Sequence, residues 1–163
     1  MKRVNKNLVC YIVALTSTLI LTSNLHAATL SIGSSSGSPG TKNISIPINL
    51  SSASGEKVCG FNFDLNYDST KLSFKEVTLG SVAVGAGKSL SFSQPNQGTI
   101  RVVVVGLNQN VINEGTVLTF AFDVLKNALA GKAELNITKP SLSDPNGKAL
   151  PVNIKDGELE VLQ

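Results

Sequence analysis

The chain has 163 residues and a formal charge of +3, with 14 Lys and Arg against 11 Asp and Glu, one His, two Cys and no Trp. That excess is Lys2, Arg3 and Lys6, so residues 28–163 are electrically balanced and offer no basic field to nucleic acid or anionic lipid. Met1, Cys10 and His26 lie in the same first stretch, so residues 28–163 have no His and only Cys59, which excludes a His-activated nucleophile and multi-ligand zinc or copper sites.

Residues 1–27 read as a secretory signal peptide. Lys2, Arg3 and Lys6 form a basic start, 8–22 are largely apolar, and Leu25-His26-Ala27 leaves a small residue at the cleavage position. A retained anchor is the other reading of this stretch. The Leu-His-Ala end and the β pattern after it favour cleavage, and Cys10 lies too early for lipid attachment. The expected location is secreted, extracellular or periplasmic. No later apolar run approaches the ~20 residues of a membrane span, so no membrane contact is expected after cleavage. Residues 28–163 suit one domain.

From there almost every segment alternates with period two. Residues 29–32 predict a short strand, and the Ser/Gly stretch 33–40 a loop. In 43–50, Ile44, Ile46, Ile48 and Leu50 face one way, while Pro47 cannot donate to a ladder and suggests an edge strand or a bulge. After a loop at 51–57, residues 58–67 give the clearest strand. Cys59, Phe61, Phe63, Leu65 and Tyr67 share one face, and Gly60, Asn62, Asp64 and Asn66 the other. Cys59 has no partner for an intramolecular disulfide and reads as a small buried hydrophobe, with an intermolecular bridge as the alternative.

Asp68 to Lys71 supply a turn. Residues 72–77 resume the sheet with Leu72 and Phe74 inward, and Gly80, Gly85 and Gly87 punctuate a flexible stretch. Residues 89–94 and 99–105 predict a hairpin around Pro95-Asn96-Gln97-Gly98. Residues 102–105 are apolar on both faces, so that strand is central or its outer face meets something. Residues 116–124 alternate with Leu118, Phe120, Phe122 and Val124 inward. Strands at 132–137, 152–154 and 158–162 complete the pattern, with a turn at Asp144-Pro145-Asn146-Gly147. The fold class expected is all-β, an antiparallel β-sandwich of about nine strands in the form of a jelly roll.

Paired carboxylates are the one catalytic device left, with Asp64, Asp68, Glu76 and Glu114 as candidates. Each has a simpler reading: Asp64 on a solvated strand face, Asp68 as a turn former, the two Glu as exposed charge. The glycines at 80–87 precede no predicted helix that could cradle a phosphate, and no calcium-binding loop is present. Asp144 and Asn146 read as turn residues. We expect no enzyme activity, no cofactor and no metal.

The order of motifs resembles a cohesin domain. Leu30-Ser31-Ile32, Ser38-Pro39-Gly40 and Ile46-Pro47-Ile48 are similar to that family's opening. Gly60-Phe61-Asn62-Phe63-Asp64-Leu65-Asn66-Tyr67-Asp68 with Leu72 resembles its most recognisable stretch. Val77-Thr78-Leu79-Gly80, residues 115–124 and Asp156-Gly157-Glu158-Leu159 fit its later strands. The resemblance implies a nine-stranded jelly roll that recognises a dockerin-like protein domain, with calcium on the partner's side. It places partner-binding residues on the outward face of the Tyr-Asp strand, where the family often has an Asn/Asp pair. Here those positions are Gly60, which departs from that pair, and Asn62. Asp64 and Asn66 extend the face, and Arg101 and Val103 are expected on a neighbouring strand of it. A group of carbohydrate-binding modules shares the fold, so direct polysaccharide binding is the competing reading. Against it, there is no Trp, and Tyr67 and the Phe residues fall mainly at inward positions. Self-association of an envelope or matrix protein is a third.

Overall fold

The computed structural model describes residues 27–52 and 55–163. Residues 1–26 of the expected leader, with Cys10 and His26, lie outside the described residues. In chain order the elements are β1 (Ala28–Ile32), β2 (Ser35–Gly37), β3 (Ile44–Ser52), β4 (Gly60–Tyr67), β5 (Leu72–Leu79), α1 (Ser81–Gly85), β6 (Ser89–Asn96), β7 (Thr99–Val105), β8 (Gly115–Val124), β9 (Gly131–Ser143), β10 (Ala149–Leu150), β11 (Val152–Lys155) and β12 (Gly157–Val161).

Two sheets face each other. One runs β11-β1-β3-β8-β5; the other runs β2-β12-β9-β4-β7-β6, with β10 added on β9. Period-two alternation puts Ile46, Ile48 and Leu50 of β3 and Phe120 and Phe122 of β8 on the inner side of the first sheet. Phe61, Phe63 and Leu65 of β4, with Ile100 and Val102 of β7, meet them from the second. Phe63 and Phe120 pack with ring centroids 6.5 Å apart, and Tyr67 stands 5.1 Å from Phe122. Burying each such side chain contributes about 1.5–3 kcal/mol. The sandwich expected from alternation is therefore the observed architecture.

The two ends of the fold run side by side and both change sheets. β1 pairs in parallel with β11, and β2 in parallel with β12. The crossings lie between Ile32 and Ser35 and around Asp156. A Cβ at Gly157 would come within 2.8 Å of the Gly33 carbonyl oxygen, so glycine lets the two segments touch.

Local departures from the alternation have local causes. The stretch 33–40, expected as a loop, holds β2 because β12 offers it a parallel edge. The glycine-punctuated stretch contains α1, which packs on β8 and buries Ala83. Pro47 does not mark an edge: β3 lies between β1 and β8. Its missing N–H costs nothing because the β1 ladder ends opposite Ile48, and only the Pro47 carbonyl is used, accepting from Gly33 N at 2.8 Å. The bulge falls one residue later, between Ile48 and Asn49.

Gly80 closes the turn from β5 into α1 with its backbone against β8. Its N–H donates to the Val117 carbonyl at 2.9 Å, and a Cβ there would lie 1.9 Å from the Thr116 oxygen. Gly80→Ala is expected to lower the unfolding free energy by about 1–3 kcal/mol, the usual cost of an overpacked methyl. The readout is a lower urea midpoint at unchanged slope. A change within about 0.5 kcal/mol, the range of neutral surface substitutions, would contradict the close approach.

Candidate functional site

The strand β4 occupies the middle of its sheet, with β9 on one side and β7 on the other. Its inward residues build the core, so its outward ones are displayed across three strands. Asn62 lies opposite Val103 of β7 and Ser141 of β9. Asp64 lies opposite Arg101 and Thr138, and Asn66 opposite Thr99 and Asn136. The rows continue onto β6, where Ser91 faces Val103 and Ser93 faces Arg101. The expected neighbours Arg101 and Val103 are therefore on the adjacent strand, and Gly60, Asn62, Asp64, Asn66, Arg101 and Val103 share one face.

These residues do different things. Asp64 does not lie on a solvated surface, as the alternation alone suggested; it is 4% exposed. Arg101 folds over it and donates twice, Nε to Oδ1 at 2.7 Å and Nη2 to Oδ2 at 2.9 Å, while Lys139 Nζ lies 3.5 Å from Oδ2. Lys139 reaches in because β9 bulges there. Thr138 pairs with Asp64 and Ser141 with Asn62, so Lys139 and Pro140 together oppose Phe63, with Lys139 at φ 51°. Asn66 is also held at both ends, donating to Thr138 Oγ1 at 2.9 Å and accepting from Thr99 Oγ1 at 3.0 Å. Asp64 and Asn66 thus spend their polar groups fixing the face.

The other end of the strand is different. Asn62 is exposed, and among the described residues its amide makes no hydrogen bond. Beside it, Val103 is half-buried and Val105 is 51% exposed. Gly60, itself buried, lies between Val105 and Ser143: a Cβ there would sit 3.4 Å from Val105 Cγ1 and 3.5 Å from Ser143 Oγ. Leu107, fully exposed, comes two residues after Val105. The result is a small apolar patch with an amide beside it and hydroxyls around it.

Sequence reasoning missed Val105, Leu107, Ser141 and Ser143. Val105 was legible as the next outward position after Val103. Ser141 and Ser143 were not, because the bulge at Lys139-Pro140 shifts the phase of β9: Ala133, Leu135 and Ile137 are buried before it and Leu142 after it.

Below this end the loops are tied by a buried lysine. Lys88, 6% exposed, donates from Nζ to Asn108 Oδ1 at 2.8 Å and to Cys59 Sγ at 3.2 Å. Cys59 is free and half-buried, an acceptor rather than only a hydrophobe. Of the other carboxylates weighed above, Glu76 is exposed on β5, and three have structural work. Asp68 accepts from Thr70 N and Oγ1, Asp144 from Asn146 N and Lys148 N, and Glu114 from Ser52 N. Among the described residues no three His, Cys, Asp or Glu side chains gather as a metal would require. No described helix is long and apolar enough to cross a membrane.

The Asp64 carboxyl is held below its ordinary 3.8, first by the Arg101 hydrogen bond, against burial, and then by the charge of Arg101 and by Lys139. A carboxylate whose folded pKa lies below its unfolded one adds stability that is fully present above the unfolded value. That stability is lost as pH falls through the folded value. The stability gap between wild type and Asp64→Asn should be widest above pH 3.8 and close as acid is added below it. Urea unfolding across that range checks this, and a gap independent of pH would contradict it.

Known proteins share both the sequence pattern and the fold. The model of the cohesin domain matches residues 28–161. No curated protein matches the chain in sequence. Among solved structures, the sixth cohesin of scaffoldin B from Acetivibrio cellulolyticus, in complex with a mutant Cel5 dockerin, superposes with a TM-score of 0.75 at 23% identity, covering 83% of this chain and 99% of that one. The OlpA cohesin of Clostridium thermocellum, in complex with the dockerin Doc918, gives 0.74 at 18% identity, covering 83% and 99%. A non-cellulosomal cohesin from the hyperthermophilic archaeon Archaeoglobus fulgidus gives 0.72 at 20% identity, covering 84% and 92%. At these identities the likeness is one of fold, and it agrees with the family match over nearly all the described residues: the chain belongs to the cohesin domain family.

Proposed function

We propose that this protein is a secreted, non-catalytic module whose β9-β4-β7-β6 face docks a dockerin-like domain, in polysaccharide degradation or another extracellular assembly. Cohesin domains are non-catalytic binding modules. Two of the solved relatives named above are held in complex with dockerins. The leader at 1–27 is the basis for secretion, and calcium belongs to the partner's side.

The observation that carries the reading is the uneven use of polar groups on the face. Asp64, Arg101 and Asn66 are satisfied internally, whereas the Asn62 amide is offered outward next to Val103 and Val105. An apolar centre with a polar surround is how protein interfaces are built, and a few central residues dominate their energy. A standard interface covers about 800 Å² on each partner, so it must spread from β4 onto β7, β9 and β6. No aromatic residue lies among the outward positions of β4, β7 and β9, which disfavours polysaccharide on this face.

The test is retention of a dockerin-bearing protein from the host's own secretions on the immobilised protein, with and without a calcium chelator, followed by calorimetry with the retained dockerin. Asn62→Ala should weaken affinity about tenfold, near 1.4 kcal/mol, and Val103→Asp by more, since it buries a charge in the apolar centre. Calcium-independent behaviour, or both variants binding like wild type, would rule out docking on this face.

A further inference from the structure

The opposite end of β4 carries a second feature, distinct from the docking face. β5 and β6 are edge strands of different sheets and meet through Phe74 and Phe92. Tyr67, last residue of β4, lines a cleft of ≈ 320 Å³ there together with Phe74 of β5 and Gln94 and Gln97 of the β6–β7 hairpin. A contiguous depression of ≈ 450 Å³ shares Tyr67, Gln94 and Gln97 and adds Asn96. Both volumes fall in the range of small-ligand sites.

The lining has a consistent chemistry. It contains no Lys, Arg, Asp or Glu. It brings together three side-chain amides (Gln94, Asn96, Gln97), the Tyr67 phenol and the hydroxyls of Ser69 and Ser73. Among the described residues these amides make one long hydrogen bond, Gln94 Nε2 to Tyr67 OH at 3.5 Å, so their donors and acceptors are largely uncommitted. Phe74 supplies an apolar wall, and Phe92 stands edge-on to it with centroids 5.9 Å apart while remaining 50% exposed. Phe92 is inward by alternation, but it lies on the edge strand β6 and stays half exposed.

We infer that this cleft binds a neutral glycan chain. An uncharged lining repels neither sign but gives no ion pair, which disfavours acidic polysaccharide and charged peptide. Amides that donate and accept at once match adjacent sugar hydroxyls, and the half-buried Tyr67 and Phe74 rings in the lining offer apolar surface to the C–H side of a pyranose. Tyr67 lies five residues along β4 from Asn62, roughly 17 Å at strand rise, so a glycan here leaves the docking face free.

The experiment is calorimetric and NMR titration of the protein with cellohexaose, xylohexaose and mannohexaose, and with polygalacturonate and an uncharged extended peptide as the competing classes. Saturable binding of at least one neutral hexaose, stronger than about 1 mM, with amide shifts at 67–74 and 92–97, is expected. Gln97→Ala and Gln94→Ala, both at exposed positions that line the cleft, should each weaken it about tenfold at unchanged thermal midpoint. The inference is overturned if no neutral hexaose binds, if polygalacturonate or the peptide binds better, if the shifts fall elsewhere, or if both variants bind like wild type. None of these results touches the docking reading, which is read out on a different face.

Discussion

The cohesin face depends on the centrality of β4. Because this strand is hydrogen-bonded on both sides, its two faces are committed at once: Phe61, Phe63 and Leu65 to the core, Gly60, Asn62, Asp64 and Asn66 to the outer surface. A register slip by one residue would exchange them, placing a carboxylate among phenylalanines. The Asp64–Arg101–Lys139 cluster sits over the middle of that strand and joins three strands through side chains as well as backbone. A carboxylate so nearly buried is tolerable only with such partners, and its partners in turn fix β7 and the bulged β9 against β4.

Much of this was legible in the residues. Alternation in 58–67 and 116–124 identified the inner faces of both sheets, and the unbroken apolar run at 102–105 pointed to a strand that is central or whose outer face meets something; β7 lies between β4 and β6. The features that could not be read arise from contacts between distant segments. Pro47 suggests an edge or a bulge, and the edge reading fails because nothing in the sequence says that β1 stops opposite Ile48. Asp64 looked solvated because its cover comes from Arg101 on another strand and from Lys139, whose backbone is turned by a bulge. The strand at 132–137 was cut short because Lys139-Pro140 breaks the period that Leu142 later resumes.

The aromatic residues teach the same lesson in the other direction. Tyr67 and Phe92 occupy inward positions by count, yet the inner side of a sheet is buried only where the other sheet lies over it. At the β6 edge Phe92 stays half exposed, while Tyr67 packs on Phe122 and also lines a cleft. One end of β4 therefore meets solvent with an amide and two valines, the other with a phenol and three amides.

The central claim is that recognition uses the outer face of β4 and its neighbours. Its most direct test is to follow the backbone amides of the isotope-labelled protein while a calcium-loaded dockerin is added. Shifts concentrated in 60–64, 101–105 and 141–143 are predicted, with the β11-β1-β3-β8-β5 sheet quiet. Shifts confined to that second sheet, with β4 unmoved, would contradict the claim.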